Sequence, residues 1–166
     1  MYEFKTNIIS KQDFLKLNED DIIFITNPGR MGDEDGTTFI IKKDNELIVY
    51  RVNGWMYSTK EERESKDYIS LGDASKQFPK WMETWKNWND ENYKGKYIYL
   101  YMGFGNGLSV DYSIYKDFKP YLDEEIDKYL EQYNDEEKED YKFSAIFNVW
   151  DKALIKMSKD KNLIIK

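Results

Sequence analysis

Thr37-Thr38-Phe39-Ile40-Ile41-Lys42-Lys43-Asp44-Asn45-Glu46-Leu47-Ile48-Val49-Tyr50-Arg51-Val52 is the stretch that decides the fold. Two runs rich in β-branched and aromatic residues flank the pair Asp44-Asn45, and a two-residue link of that type suits a tight hairpin. So short a link joins antiparallel strands, because a parallel crossover needs about a dozen residues or more. The stretch therefore predicts paired strands over Thr37–Lys43 and Glu46–Val52.

Upstream, Ile22-Ile23-Phe24-Ile25 is a continuous apolar run ended by Asn27-Pro28-Gly29, the pattern of a buried strand. Ser10-Lys11-Gln12-Asp13 predicts a short helix capped by Ser10 and reaching about Leu17. Downstream, Asn53-Gly54 turns the chain and Trp55-Met56-Tyr57 suggests a further short strand. Ser58 to Asp67 is almost wholly polar and reads as a solvated loop or fraying turn. A helix is expected over 73–89, its main part starting at Pro79, since proline fits a first-turn position. After the polar turn Asp90 to Gly95, Tyr97 to Met102 alternates as a strand, and Gly103-Phe104-Gly105-Asn106-Gly107 leads into Leu108 to Tyr112.

The last third is helical. Leu122, Ile126, Tyr129, Leu130 and Tyr133 recur with an amphipathic period, as do Phe143, Ile146, Phe147, Trp150, Ala153, Leu154 and Met157. Between them Asp135-Glu136-Glu137-Lys138-Glu139-Asp140 places negative charge at the start of the final helix. The expected fold class is α+β, a mainly antiparallel sheet of five or six strands with three or four helices packed on it. No repeat or linker divides residues 1–166, which are expected to form a single domain.

Composition narrows the chemistry. With 40% hydrophobic and 34% charged residues among 166, the chain is too apolar for disorder and too charged for a membrane protein. The N-terminal residues from Met1 to Thr6 lack the pattern of a secretory signal, so a cytoplasmic location is expected and no membrane partner. Cysteine and histidine are both absent, which removes thiol chemistry, Ser-His-Asp arrangements and ordinary zinc sites. Carboxylates, Lys, Tyr, Ser and Thr remain. A net charge of −7 argues against nucleic acid and fits attraction to a basic protein. Lysine outnumbers arginine by 22 to 3, the codon usage of an AT-rich bacterial or phage genome.

Three motif matches dissolve on inspection. Gly103-x-Gly105-x-Gly107 lacks the third glycine of a dinucleotide fingerprint and precedes a strand pattern, not a helix. Aligning Gly36 with the glycine of a calcium loop puts Met31 and Lys42 at its first and last ligand positions. Asp117-Phe118-Lys119 and Asp140-Tyr141-Lys142 match the tail of a nuclease motif, but lie near helix starts, and such triplets arise by chance in so charged a chain. No cofactor or metal is expected.

What remains are candidate contact residues. Asn27 to Gly36 is longer than a hairpin needs and carries Arg30 with Asp33, Glu34 and Asp35, a prominent acidic loop. Trp55 directly follows a turn, where a large apolar side chain is hard to bury. Trp81, Trp85 and Trp88 share a helix face with Phe78 and Met82, as core or as a partner-binding ridge. Tyr97, Tyr99 and Tyr101 share one strand face, suited to a covering helix or to an exposed contact. These features predict a small acidic binding protein of the immunity or inhibitor kind that sequesters a toxin or other effector. The alternatives are a phage-encoded inhibitor of a host defence factor, and a carboxylate hydrolase acting on a sugar or phosphate ester through Asp33 or Asp35 with Asp111.

Overall fold

Ile22, Ile23, Phe24 and Ile25 are all buried, which a strand achieves only when both faces of its sheet are covered. In the computed structural model they form β2 (Ile22–Thr26). The residues described are 4–26, 37–52, 58–87, 90, 92–95, 97–103, 109–115 and 117–166, with the backbone alone at 71, 85, 97–103, 109–113, 115, 143 and 147.

The other strands are β1 (Asn7–Ile8), β3 (Thr37–Lys43), β4 (Glu46–Val52), β5 (Tyr97–Gly103), β6 (Ser109–Tyr115) and β7 (Ile164–Ile165). They form one seven-stranded sheet in the order β1-β4-β3-β2-β6-β5, with β7 also paired to β4. The β3–β4 hairpin has the expected bounds, with Lys43 opposite Glu46. Its first loop residue, Asp44, takes the positive φ of 54° that a tight two-residue turn requires.

Antiparallel pairing joins the five long strands, but the sheet is mixed. The two-residue β1 and β7 run parallel to β4, and bring the strands among the described residues to seven where five or six were expected. Strands of two residues leave no alternation to read, so nothing in their sequence announced them. The Asn7 side-chain amide donates to the carbonyls of Val49 and Lys166, both at 3.1 Å, tying the two short strands to β4.

A bulge in β2 sorts the core. Ile22 pairs with Ile41 and Phe24 with Ile40, so one extra residue sits between them and the face alternation is reset. Ile22 and Ile25 join one hydrophobic cluster with Phe14, Phe39, Phe78 and Trp81. Ile23 and Phe24 join the other, with Ile40, Phe118, Leu122, Trp150 and Leu154.

Helices cover both faces, and the described residues form six α-helices where three or four were expected: α1 (Lys11–Phe14), α2 (Lys60–Glu64), α3 (Leu71–Gln77), α4 (Pro79–Lys86), α5 (Lys119–Leu130) and α6 (Asp135–Asp160). The excess comes from pieces shorter than an amphipathic period, held by caps. Ser10 caps α1 through its hydroxyl, which accepts from the Asp13 amide at 3.1 Å, as expected. The helix stops at Phe14, earlier than the expected Leu17. Thr59 caps α2 within the stretch expected to be a loop. The helix expected over 73–89 is two, broken at Phe78, whose φ of −123° and ψ of 64° lie outside the helical region, as proline at the next position favours.

Helix α4 has no side-chain cap of its own, and a distant residue supplies one. Glu19, buried in the 3₁₀ turn Glu19–Asp21, accepts from the backbone amides of Lys80 and Trp81, each at 3.0 Å. Trp81 is fully buried among Phe78 and Phe14, so this part of the indole face is core. Among the described residues its ring N–H meets no acceptor. The side chain of Trp85 lies outside what is described, as does Trp88.

On the opposite face Phe24 stacks on Trp150 with ring centres 5.9 Å apart. Helices α5 and α6 are tied by Lys156 with Glu124 and by the Tyr121 hydroxyl donating to Asp160. That bond, with some burial, pushes the Tyr121 phenol up to about 12.

Candidate functional site

The strand register brings the expected contact segments together at one end of the sheet. Strand β2 ends at Thr26 and β3 begins at Thr37, whose partner Val52 ends β4. Thr26 pairs with Tyr112 near the start of β6, and Gly103 at the end of β5 pairs with Ser109. Segments 27–36, 53–57 and 104–108 therefore all leave from the same end. Arg30, Asp33, Glu34, Asp35 and Trp55 lie outside the described residues, so only this point of departure is fixed for them. The glycine-rich segment joins two antiparallel strands, the setting of a hairpin and not of a phosphate-binding strand-to-helix turn.

Tyr97, Tyr99 and Tyr101 fall on β5, the last strand of the sheet, opposite Tyr115, Ser113 and Asp111. The register continues from Ser113 to Ile25 and from Ile25 to Phe39, so the tyrosine positions share the sheet face packed by α1, α3 and α4. Of the three, Tyr101 lies nearest the end from which the three segments depart; Tyr97 is four residues further along, about 13 Å away. The tyrosine positions thus form a row running away from the sheet end at which the other expected segments depart.

A groove of about 410 Å³ opens at the β1–β4 corner of this same end. Its lining combines apolar Ile8, Ile9, Val52 and Ile69 with the carboxylates of Glu61, Glu62 and Asp67 and the guanidinium of Arg51. Ile8 is 69% exposed, while Ile9, Val52 and Ile69 are buried. Local caps build part of this lining. The Thr59 hydroxyl accepts from the Glu62 amide at 3.1 Å, and the Arg63 guanidinium donates to the Ser58 carbonyl at 2.6 Å. The groove borders segment 53–57 on both sides, through Val52 and Ser58.

None of the groove residues was among the expected contacts. The available signal was Thr59-Lys60-Glu61-Glu62, a capping-box pattern that turns an apparently solvated loop into a helix with carboxylates at fixed positions. The apolar lining had no such signal, because Ile8 and Ile69 are 61 positions apart in the chain.

Among the described residues no group of three or more carboxylates is placed to hold a metal ion. Among them, too, no helix is long and apolar enough to cross a membrane. The groove thus sets apolar side chains beside three carboxylates and one guanidinium. No family model, curated protein or solved structure matches this chain.

Proposed function

We propose that the chain is a binding protein of the immunity or inhibitor kind, which sequesters a basic effector protein at the end of the sheet from which segments 27–36, 53–57 and 104–108 depart. The observation that carries this reading is the groove at that end, where the three carboxylates of Glu61, Glu62 and Asp67 outnumber the one guanidinium of Arg51 beside apolar Ile8, Ile9, Val52 and Ile69. Support comes also from the acidic Asp33-Glu34-Asp35 run leaving from the same end, and from the net charge of −7. Complementary charge speeds encounter, while apolar groove residues and an aromatic such as Trp55 hold the complex once formed.

The test is comparative capture from cell extract of the native host. Parent chain and a Glu61→Lys/Glu62→Lys/Asp67→Lys variant are immobilised, and bound proteins are identified by mass spectrometry. One basic protein enriched by the parent and lost with the variant supports the reading. Equal retention by both, or enrichment of acidic proteins only, overturns it.

A further inference from the structure

We propose that the elbow between α5 and α6 is a second binding surface, taking an arginine side chain presented by a protein partner. An exposed aromatic stack carries the proposal. Tyr133 and Tyr141 stack with ring centres 4.3 Å apart and planes 17° from parallel. Tyr129 flanks Tyr133 at 6.0 Å and 54°, and its hydroxyl accepts from the Asn148 side-chain amide at 3.3 Å.

Stapling the helical hairpin accounts for Tyr129 and Tyr133, which are half-buried. It does not account for Tyr141, which is 41% exposed. One face of the Tyr141 ring is taken by Tyr133, so its exposure falls on the opposite face and edge. A tyrosine ring face held in place by a second ring attracts a cation, and the planar guanidinium stacks there better than an ammonium does.

The surrounding charge says which group fits. Glu131, Asp135, Glu136, Glu137, Glu139 and Asp140 stand within ten residues, against a single Lys138. Capping explains part of this: Glu137 completes a capping box with Asn134, and Asp135 pairs with Lys138 at 3.6 Å. Helix physics opposes the rest. Glu131 sits at the negative C-terminal end of α5, where a carboxylate is disfavoured. Glu139 and Asp140 stand four residues after Asp135 and Glu136, like-charge spacings that weaken a helix. Among the described residues no cation pairs with Glu131, Glu139 or Asp140. Glu137 stands one turn before Tyr141 on α6, with its carboxylate accepting from the Asn134 amide.

The test uses the full chain and two unstructured peptides of equal length and charge, one of arginine and one of lysine. The expected result is roughly three- to fivefold tighter binding of the arginine peptide, as a ring–cation contact at an exposed site gives, with the ring resonances of Tyr133 and Tyr141 shifting on titration. Tyr141→Leu should abolish the preference, and Tyr141→Phe, which keeps the ring face, should retain it. Equal affinity for the two peptides overturns the proposal, as does a preference that survives Tyr141→Leu. The Glu61→Lys/Glu62→Lys/Asp67→Lys variant separates this surface from the sheet end, since it should keep the arginine preference whatever becomes of effector binding.

Discussion

Glu19 shows how one side chain can complete an element 60 residues away in the chain. Its carboxylate accepts the amides of Lys80 and Trp81 that the start of α4 would otherwise leave bare in the core. Glu19→Gln keeps the size but removes the charge and sets one amide against a donor. It should destabilise the fold by about 1–3 kcal/mol in denaturant melts. A variant as stable as the parent would show that water caps the helix instead. Asp73 works in the opposite register. Burial alone would raise its carboxyl, but the Ser70 amide and hydroxyl and Lys11 together outweigh burial and hold it below its ordinary value of 3.8. Lys11 reaches it from α1 at 3.2 Å. A carboxyl lowered in the folded state adds stability above its unfolded value and loses it as pH falls through the folded one. The stability gap between parent and Asp73→Asn should therefore be full at neutral pH and close as pH drops below 3.8. A gap that stays constant into acid would assign the loss to geometry and not to charge.

At the scale of elements, α6 and the short edge strands mark the extremes. Trp150 is 3% exposed and meets Phe24 and Phe4, so α6 is held to the sheet through this ring. Trp150→Ala should cost about 3–5 kcal/mol, a large share of an ordinary domain's stability. A calorimetric scan matching the parent's would mean that the site collapses to fill the void. Strand β7 hangs instead on a few bonds, including the amides of Ile164 and Lys166 to the carbonyls of Asn45 and Leu47, both at 2.8 Å. Asn7→Ala removes the clip on Lys166. Hydrogen exchange at these two amides should rise by roughly fivefold, the worth of about one hydrogen bond, while exchange in β3 stays unchanged. Uniform acceleration across the sheet would show that the clip stabilises the whole fold and not its edge.

For the whole molecule, the question is whether charge or shape governs the proposed complex. Reversing Asp33, Glu34 and Asp35 should slow association with a basic partner, and the loss should shrink as salt rises and screening sets in. Truncating Trp55 should act on dissociation and cost about 2 kcal/mol or more if the indole is a contact centre. Both are read in one set of stopped-flow or surface-binding experiments at several salt concentrations. Unchanged kinetics in the charge variant, with its fold intact, would exclude the Asp33-Glu34-Asp35 run from the interface.

The sequence by itself determined the elements whose information is local. The hairpin of β3 and β4 followed from a two-residue link, the buried β2 from four apolar residues in a row, and α5 and α6 from unbroken apolar periods. Pro79 announced a helix start because its ring restricts the backbone on either side of it. Only the tertiary structure decided what depends on partners far apart in the chain. It placed β1 and β7 on β4, and gave Glu19 to α4. It divided four consecutive apolar residues between two cores through one bulge. It also put Ile8 and Ile69 in one groove and segments 27–36 and 53–57 at one end of the sheet. The physical reason is the same in each case. Periodicity and caps are written in neighbouring residues, whereas strand order and register follow from burying two faces of a sheet at once, which no short stretch of chain contains.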